Sequence, residues 1–224
     1  MFSELQLEHS STVDRAVEEI RRALFAGRLA PGTALREVAL SEAMGVGRST
    51  IREALTVLVG EGVAVRVPNK GVAVKALTAA DVHDVSLARA ALEAAGVRRW
   101  SEASDHDQRA VRAALEDYAH VAREASDPAA LTEAHLRIHR ALVGLTGSRR
   151  LVAAAEALSA EIRLALAHLD RMRANLSDQV AEHARLVELV EGGDTPAALD
   201  ALREHLSVAE TSLLHATGHG TIEP

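Results

Sequence analysis

Four histidines carry the residue type and the spacings from which a metal site could be built. His135 and His139, in LTEAHLRIHRALVG, stand four apart, which places both rings on one face of a helix. Their neighbours Leu131, Ile138 and Leu142 are apolar, and an imidazole drawn to that side is costly unless something satisfies it. In its neutral form it keeps a lone pair that suits zinc, nickel or copper. His183, in VAEHARLVELV, and His205, in ALREHLSVAE, lie on either side of the Gly192–Pro196 segment, with their midpoint at 194. If the flanking helices fold back as a hairpin, each ring sits about eleven residues, roughly 15 Å, from the turn, and the two face each other. Val180, Val187 and Val190 mark a buried stripe near His183, and Leu202 and Leu206 flank His205. All four rings could therefore converge inside a helical bundle on a divalent transition metal. Taken singly, each reads as an ordinary helix histidine; two pairs of matching geometry set the metal reading beside that one. His9, His83, His106, His120, His168, His215 and His219 lack such pairing and read as structural or solvated.

The elements that must position these rings follow from the punctuation of residues 77–224. This stretch is rich in Ala, Leu, Arg and Glu, repeats apolar residues at three and four, and shows no convincing strand. Thr78 with Asp81 resembles a capping box opening a helix through Val82, Val85, Leu92 and Val97 toward about Ala103. Further helices are expected at about 105–125, 128–144, 148–173, 177–191 and 195–216. They are separated by Ser126-Asp127-Pro128, Gly144 to Ser148, Asn175 to Ser177 and Gly192 to Pro196. The expectation is an all-α antiparallel bundle.

The first 76 residues read differently. Ser10-Ser11-Thr12 can cap a helix bearing Val13, Val17, Ile20 and Leu24, which ends before Gly27. Leu35, Val38, Ala39 and Met44 give LREVALSEAM an apolar spacing, and Gly45-Val46-Gly47 turns it into a helix whose first turns carry Arg48, Ser49, Thr50 and Arg52. Two short helices so joined are a helix-turn-helix, in which the second presents its N-terminal residues to base edges in the major groove. VAVRV (63–67) and GVAVK (71–75) flank Pro68-Asn69-Lys70 and read as a hairpin, making the whole a winged helix. At its tip Lys70 supplies charge and Gly71 permits close backbone approach to a phosphate. Residues 1–76 hold 10 basic and 9 acidic residues, net +1, and the remainder 15 and 23, net −8, together the chain's −7. DNA affinity must then come from local placement of Arg36, Arg48, Arg52, Lys70 and Lys75, and so weakly charged a module is expected to need a homodimer to bind tightly. The sign change marks the expected boundary: a DNA-binding domain at 1–76, a helical domain at 77–217 and a tail at 218–224.

With these residues in view, the segment LREVALSEAMGVGRSTIREALTVLVGEGVAVRVPNKGVAV resembles the winged-helix domain of GntR-type bacterial regulators. Arg48, the Arg52-Glu53-Ala54-Leu55 run, and Glu61-Gly62 followed by PNKG at the wing carry the resemblance. Gly47 departs from it, since the family usually has serine or threonine there. Residues 81–216 resemble the FCD ligand-binding domain of the FadR subfamily, through ARAALEAAGVRR (88–99), RIHRALVGLTGSRRL (137–151), EHARLVELVEGGD (182–194) and LREHL (202–206). The resemblance implies His135, His139, His183 and His205 as metal ligands, with His135 where the family usually has aspartate. It also implies a small organic-acid effector whose carboxylate arginines hold, for which Arg89 and Arg163 are the candidates.

Four neutral imidazoles leave a cation's charge uncompensated, which favours zinc or nickel over manganese and invites an anionic ligand. The expected protein is a homodimeric repressor on double-stranded operator DNA, controlled by a carboxylate effector and not an enzyme. With no cysteine and no apolar run of the roughly 18 residues a membrane helix needs, its expected place is the cytoplasm, away from membranes. Two rivals are a regulator whose signal is the metal itself and a metal-dependent hydrolase fused to a DNA-binding domain. The hydrolase lacks an obvious base: Glu133, Glu182 and Glu204 lie near the ligands in sequence, but Glu182 and Glu204 precede histidines and project about 100° away.

Overall fold

The computed structural model describes residues 11–124, 127–167 and 176–218. The chain divides into two compact units, Met1–Lys75 and Ala76–Pro224.

In the first unit, helix α1 spans Thr12–Phe25 and opens on a full capping box, in which Ser11 and Asp14 satisfy each other's backbone N–H groups. It buries Ala16, Val17, Ile20, Leu24 and Phe25. Helices α2 (Glu37–Met44) and α3 (Arg48–Gly60) are joined through Gly45, whose φ of 65° is left-handed and suits glycine. Helix α3 buries Ile51, Ala54, Leu55 and Leu58 and packs on α1. Strands β1 (Ala64–Val67) and β2 (Gly71–Val74) pair antiparallel, with Val67 opposite Gly71. The turn between them closes through Lys70 N–H to Val67 C=O, with Asn69 at φ 60° and Gly71 at φ 88°. Mainly α with one hairpin, this is the winged helix-turn-helix the sequence predicts.

One local expectation fails. The apolar spacing of Leu35, Val38, Ala39 and Met44 does not mark one buried face: Leu35 is buried ahead of the helix, while Val38 and Ala39 are exposed. Because the helix starts only at Glu37, its register turns Leu40, Ser41 and Met44 inward to partial burial instead.

The second unit is an all-helical bundle of α4 (Ala79–Val97), α5 (Asp105–Glu124), α6 (Pro128–Gly144), α7 (Arg149–Leu166), α8 (Leu176–Glu191) and α9 (Thr195–Ala216). Thr78 and Asp81 form the second capping box, and Asp127 and Asp194 cap α6 and α9 ahead of Pro128 and Pro196. Helix α4 stops short of Ala103: a 3-10 turn at Trp100–Glu102 ends the segment, with Ala103 N–H bonding Arg99 and Trp100 carbonyls. The expected helix at 148–173 is seen to Leu166; residues 168–175, including His168, lie outside the described residues, as do His9 and His219. Helix α6 packs against α4, α5 and α7, and α8 against α5 and α9. Its core runs from Val97, Val111 and Leu142 to Val187, Val190 and Leu202. At Gly96, a Cβ would stand 1.8 Å from the Leu142 carbonyl oxygen, so only glycine lets α4 and α6 approach this closely.

Candidate metal centre and nucleic-acid interface

The bundle brings His135 and His139 of α6 together with His183 of α8 and His205 of α9, one ring nitrogen from each lying within 4.8 Å of the others. Three of the rings are buried, and the His205 side chain is 14 % exposed. His139 Nε2 stands 3.1 Å from both His135 Nε2 and His183 Nε2. The far nitrogens decide what these approaches are. His183 Nδ1 donates to the Gln179 carbonyl at 2.6 Å, which leaves its Nε2 as a lone pair. His139 Nδ1 lies 2.8 Å from Glu93 Oε2, and to the carboxylate form of Glu93, which Arg89 on Oε1 favours, that nitrogen also donates. Two lone pairs at 3.1 Å make no hydrogen bond. A cation between them would satisfy both, and tetrahedral zinc with ligand bonds of about 2.0–2.1 Å spaces its nitrogens at about 3.3 Å. His205 Nε2 is buried without a hydrogen-bond partner, as is His135 Nδ1. The residues present thus fit a transition metal.

Desolvation holds all four imidazoles neutral. It pushes His135 and His139 well below the usual histidine range, lowers His183, and takes His205 to about 3, with neighbouring rings and Arg89 adding to the effect. Neutral rings are the ligating form. Tyr118 closes the site from α5: its ring centre lies 5.5 Å from that of His135 and 5.4 Å from that of His183. Burial pushes its phenol up to about 12, so it stays protonated and donates to Gln179 Oε1 at 3.2 Å.

Glu93 is a residue the sequence argument missed. It is 1 % exposed, with Oε1 2.6 Å from Arg89 Nε and Oε2 on His139. Burial raises its carboxyl against the pull of Arg89. An Arg-x-x-x-Glu pair on a helix resembles a solvated ion pair in sequence; the only hint was its position on the same stripe as Val82, Val85 and Gly96. Arg89 itself is 7 % exposed, and its Nη2 is buried without a hydrogen-bond partner. Beside the histidines, a recess is lined by Arg89, Leu92, His139, Arg140, Leu158 and Ser159. Arg163 is not among its lining residues. It bonds Glu133 at 2.6 Å, and Glu133 also takes Arg140 at 2.5 Å.

In the winged helix Arg48, Ser49 and Arg52 are exposed at the start of α3, with Thr50 half-buried, and Arg36, Lys70 and Gly71 are exposed on α2's flank and the wing. Arg52 is engaged by Glu37 through a fork, Nε–Oε1 3.0 Å and Nη2–Oε2 2.8 Å. Arg66 of β1, not singled out from sequence, donates to Thr56 Oγ1 at 2.9 Å. Gly47, the N-cap of α3, offers no side-chain cap. Its φ of −66° and ψ of 150° suit serine, and an added Cβ would meet Ser49 Oγ at an ordinary 3.6 Å. Gly47→Ser is therefore expected to raise the melting temperature slightly, by a few tenths of a kcal/mol of stability; a lower melting temperature by calorimetry would contradict the cap argument.

Comparison with known proteins agrees with both halves. The family described as "Bacterial regulatory proteins, gntR family" matches residues 12–74, and the FCD domain matches residues 84–208. A Streptomyces ambofaciens HTH-type transcriptional regulator in an unstable DNA locus is 30% identical over 198 residues, covering 84% of this chain and 79% of its own. A Paenarthrobacter nicotinovorans protein, described as a probable D-xylose utilization operon transcriptional repressor, is 29% identical, covering 86% and 84%. The crystal structure of a Rhodococcus sp. RHA1 chain, described as a transcriptional regulator GntR, superposes with a TM-score of 0.80 at 26% identity, covering 92% of this chain and 99% of that one. This chain belongs to the GntR family of bacterial transcriptional regulators, in its FCD-containing, FadR-like branch. It is a DNA-binding regulator. Among the described residues no helix is long and apolar enough to cross a membrane.

Proposed function

We propose that this regulator is a homodimeric repressor whose helical domain, residues 77–217, holds zinc or nickel on His135, His139, His183 and His205 and senses a small carboxylate beside it. The observation that carries this reading is the pair of Nε2 lone pairs of His139 and His183 at 3.1 Å, a contact that a cation between them would satisfy. A bound divalent ion supplies positive charge in a site whose histidines are all neutral. Arg89, which lines the adjoining recess and has a buried Nη2 without a hydrogen-bond partner, adds a second anion-seeking group, and Leu92 and Leu158 give the recess apolar walls. Arg163, held by Glu133, supports the site from α7 rather than meeting the ligand directly.

The DNA-binding domain, residues 1–76, would place Arg48, Ser49, Thr50 and Arg52 of α3 at base edges, with Arg36, Lys70 and Gly71 on the flanking phosphates. Arg52 exchanges its fork on Glu37 for DNA. Arg48→Ala is expected to weaken operator binding about 10–100-fold, the worth of one good base contact, with an unchanged melting temperature. Undiminished affinity and specificity in a gel-shift titration would remove α3 from the recognition role. Two half-sites read by a dimer give the effector its lever: binding that differs between the two dimer states by about 1–3 kcal/mol suffices to change occupancy.

The test is operator binding by chelated and zinc-loaded protein, with a DNA fragment chosen by in vitro selection and a panel of small carboxylic acids. Release by an acid only in the zinc-loaded form supports the carboxylate sensor. Zinc alone switching binding, with every acid silent, assigns the signal to the metal.

A further inference from the structure

Glu93 faces two donors at once. Its Oε1 takes Arg89 Nε at 2.6 Å and its Oε2 takes His139 Nδ1 at 2.8 Å, with both carboxylate and imidazole almost wholly buried. His139 is the hub of the histidine cluster, the one ring whose Nε2 lies 3.1 Å from two others. Which of its nitrogens carries the proton therefore decides whether His139 presents a lone pair at the centre of the cluster. We propose that Glu93 is a positioning residue that locks His139 in its Nδ1–H tautomer, while Arg89 holds the carboxylate in register, so that His139 Nε2 is a ready ligand before any ion arrives. The metal part of this inference rests on the function proposed above; the tautomer part does not.

The geometry requires an acceptor on both sides of residue 93. A carboxylate is acceptor-only. Glutamine has the same shape but presents one oxygen and one NH2 group, so one of its faces must meet a donor. Arg89 Nε cannot give up its hydrogen, whereas an imidazole can move its proton to the other nitrogen. In Glu93→Gln the amide oxygen is expected to stay on Arg89 and the NH2 to face His139, which then becomes the Nε2–H tautomer. That hydrogen points at the cluster centre and removes the lone pair. His183 keeps its Nε2 lone pair, because its Nδ1–H is committed to the Gln179 carbonyl, and at 3.1 Å it would accept the His139 Nε2–H as an ordinary hydrogen bond instead of sharing a cation with it. Glu93→Asp keeps acceptors on both faces at the expense of one methylene.

The experiment uses full-length, chelator-treated protein labelled with 15N-histidine, with tautomers read from ring nitrogen shifts and zinc affinity from competition with a fluorescent chelator. In the wild type, His139 is expected as Nδ1–H. Glu93→Gln should convert it to Nε2–H and weaken zinc binding about 10–100-fold, while Glu93→Asp restores the tautomer and most of the affinity. A wild-type His139 found as Nε2–H overturns the proposal even if Glu93→Gln does not fold. So does a folded Glu93→Gln whose tautomer and zinc affinity match the wild type. Wild-type protein that binds no zinc but shows the tautomer switch would instead sink the metal reading and leave the positioning role standing.

Discussion

Gly96→Ala is expected to destabilise the helical unit by about 3 kcal/mol or more, at the upper end of what overpacking a core costs. The added methyl would lie 1.8 Å from the Leu142 carbonyl oxygen and 2.7 Å from its carbon. Both belong to the backbone of α6, so no side chain can swing aside, and the two helices must part. Their separation carries further than stability. Glu93 stands one turn before Gly96 on α4, and His139 one turn before Leu142 on α6, so the 2.8 Å bond between them spans the same interface. Gly96→Ala should therefore lose metal affinity along with its folding energy. Gly144→Ala is the matched control, since nothing lies within 4 Å of a Cβ there and alanine favours a helix over glycine. Urea titrations of the two variants give the comparison, and equal stability would show that α4 and α6 do not meet as closely as described.

The second large effect is acid lability of the metal-free protein. The folded-state pKa of each of the four histidines lies below its ordinary value. Above about pH 6.5 the folded and unfolded chains alike leave these rings unprotonated, and the full stability is present. As the pH falls below that, the unfolded chain takes up protons that the buried cluster refuses, so stability drops until the folded pKa values are reached, about 3 for His205. Each histidine contributes a slope of about 1.4 kcal/mol per pH unit in this window. Glu93 works the other way, because its folded pKa is raised: the folded chain holds its proton to higher pH, which costs stability as pH rises above the usual carboxylate value. One group opposes four. Unfolding free energies between pH 7.5 and 5 should therefore fall steeply with acid, and the fall should flatten in a variant lacking two of the rings. A flat profile in the wild type would mean that the rings are not buried together.

Much of this arrangement was legible in the residues alone, for reasons that are local. Ser11 with Asp14, Thr78 with Asp81, and Gly192 to Pro196 are backbone instructions that need no tertiary context, and they set where helices start and turn. The i,i+4 pair on α6 and the equal distances of His183 and His205 from the turn between α8 and α9 are helical arithmetic, which is why their approach could be anticipated. What stayed hidden depends on neighbours remote in sequence. Glu93 and Arg89 have the spacing of a solvated pair, and only the packing of α4 against α6 and α9 makes them interior. Arg140 and Arg163 both bond Glu133, yet of the two it is Arg140 that lines the recess, a choice set by how α6 meets α7. The exposure of Val38 came from the exact start of α2, a boundary that apolar spacing does not resolve.

The burial of Arg89 also changes how its role must be tested. Arg89→Ala would remove a candidate effector ligand and, at the same time, leave Glu93 as a buried carboxylate without its partner, an arrangement that costs about 3–5 kcal/mol. A lost effector response in that variant would not distinguish binding from collapse. Changes at Arg140, which lines the recess and is itself about one-fifth exposed, disturb the fold less and probe the same recess.

The central claim is that the four histidines hold a metal ion, and elemental analysis of protein purified gently and without chelators tests it most directly. The expected result is close to one zinc or nickel per chain, lost together in a variant with His139 and His183 replaced. Stoichiometric absence of every transition metal, with no rise in melting temperature when zinc or nickel is added back, would contradict it.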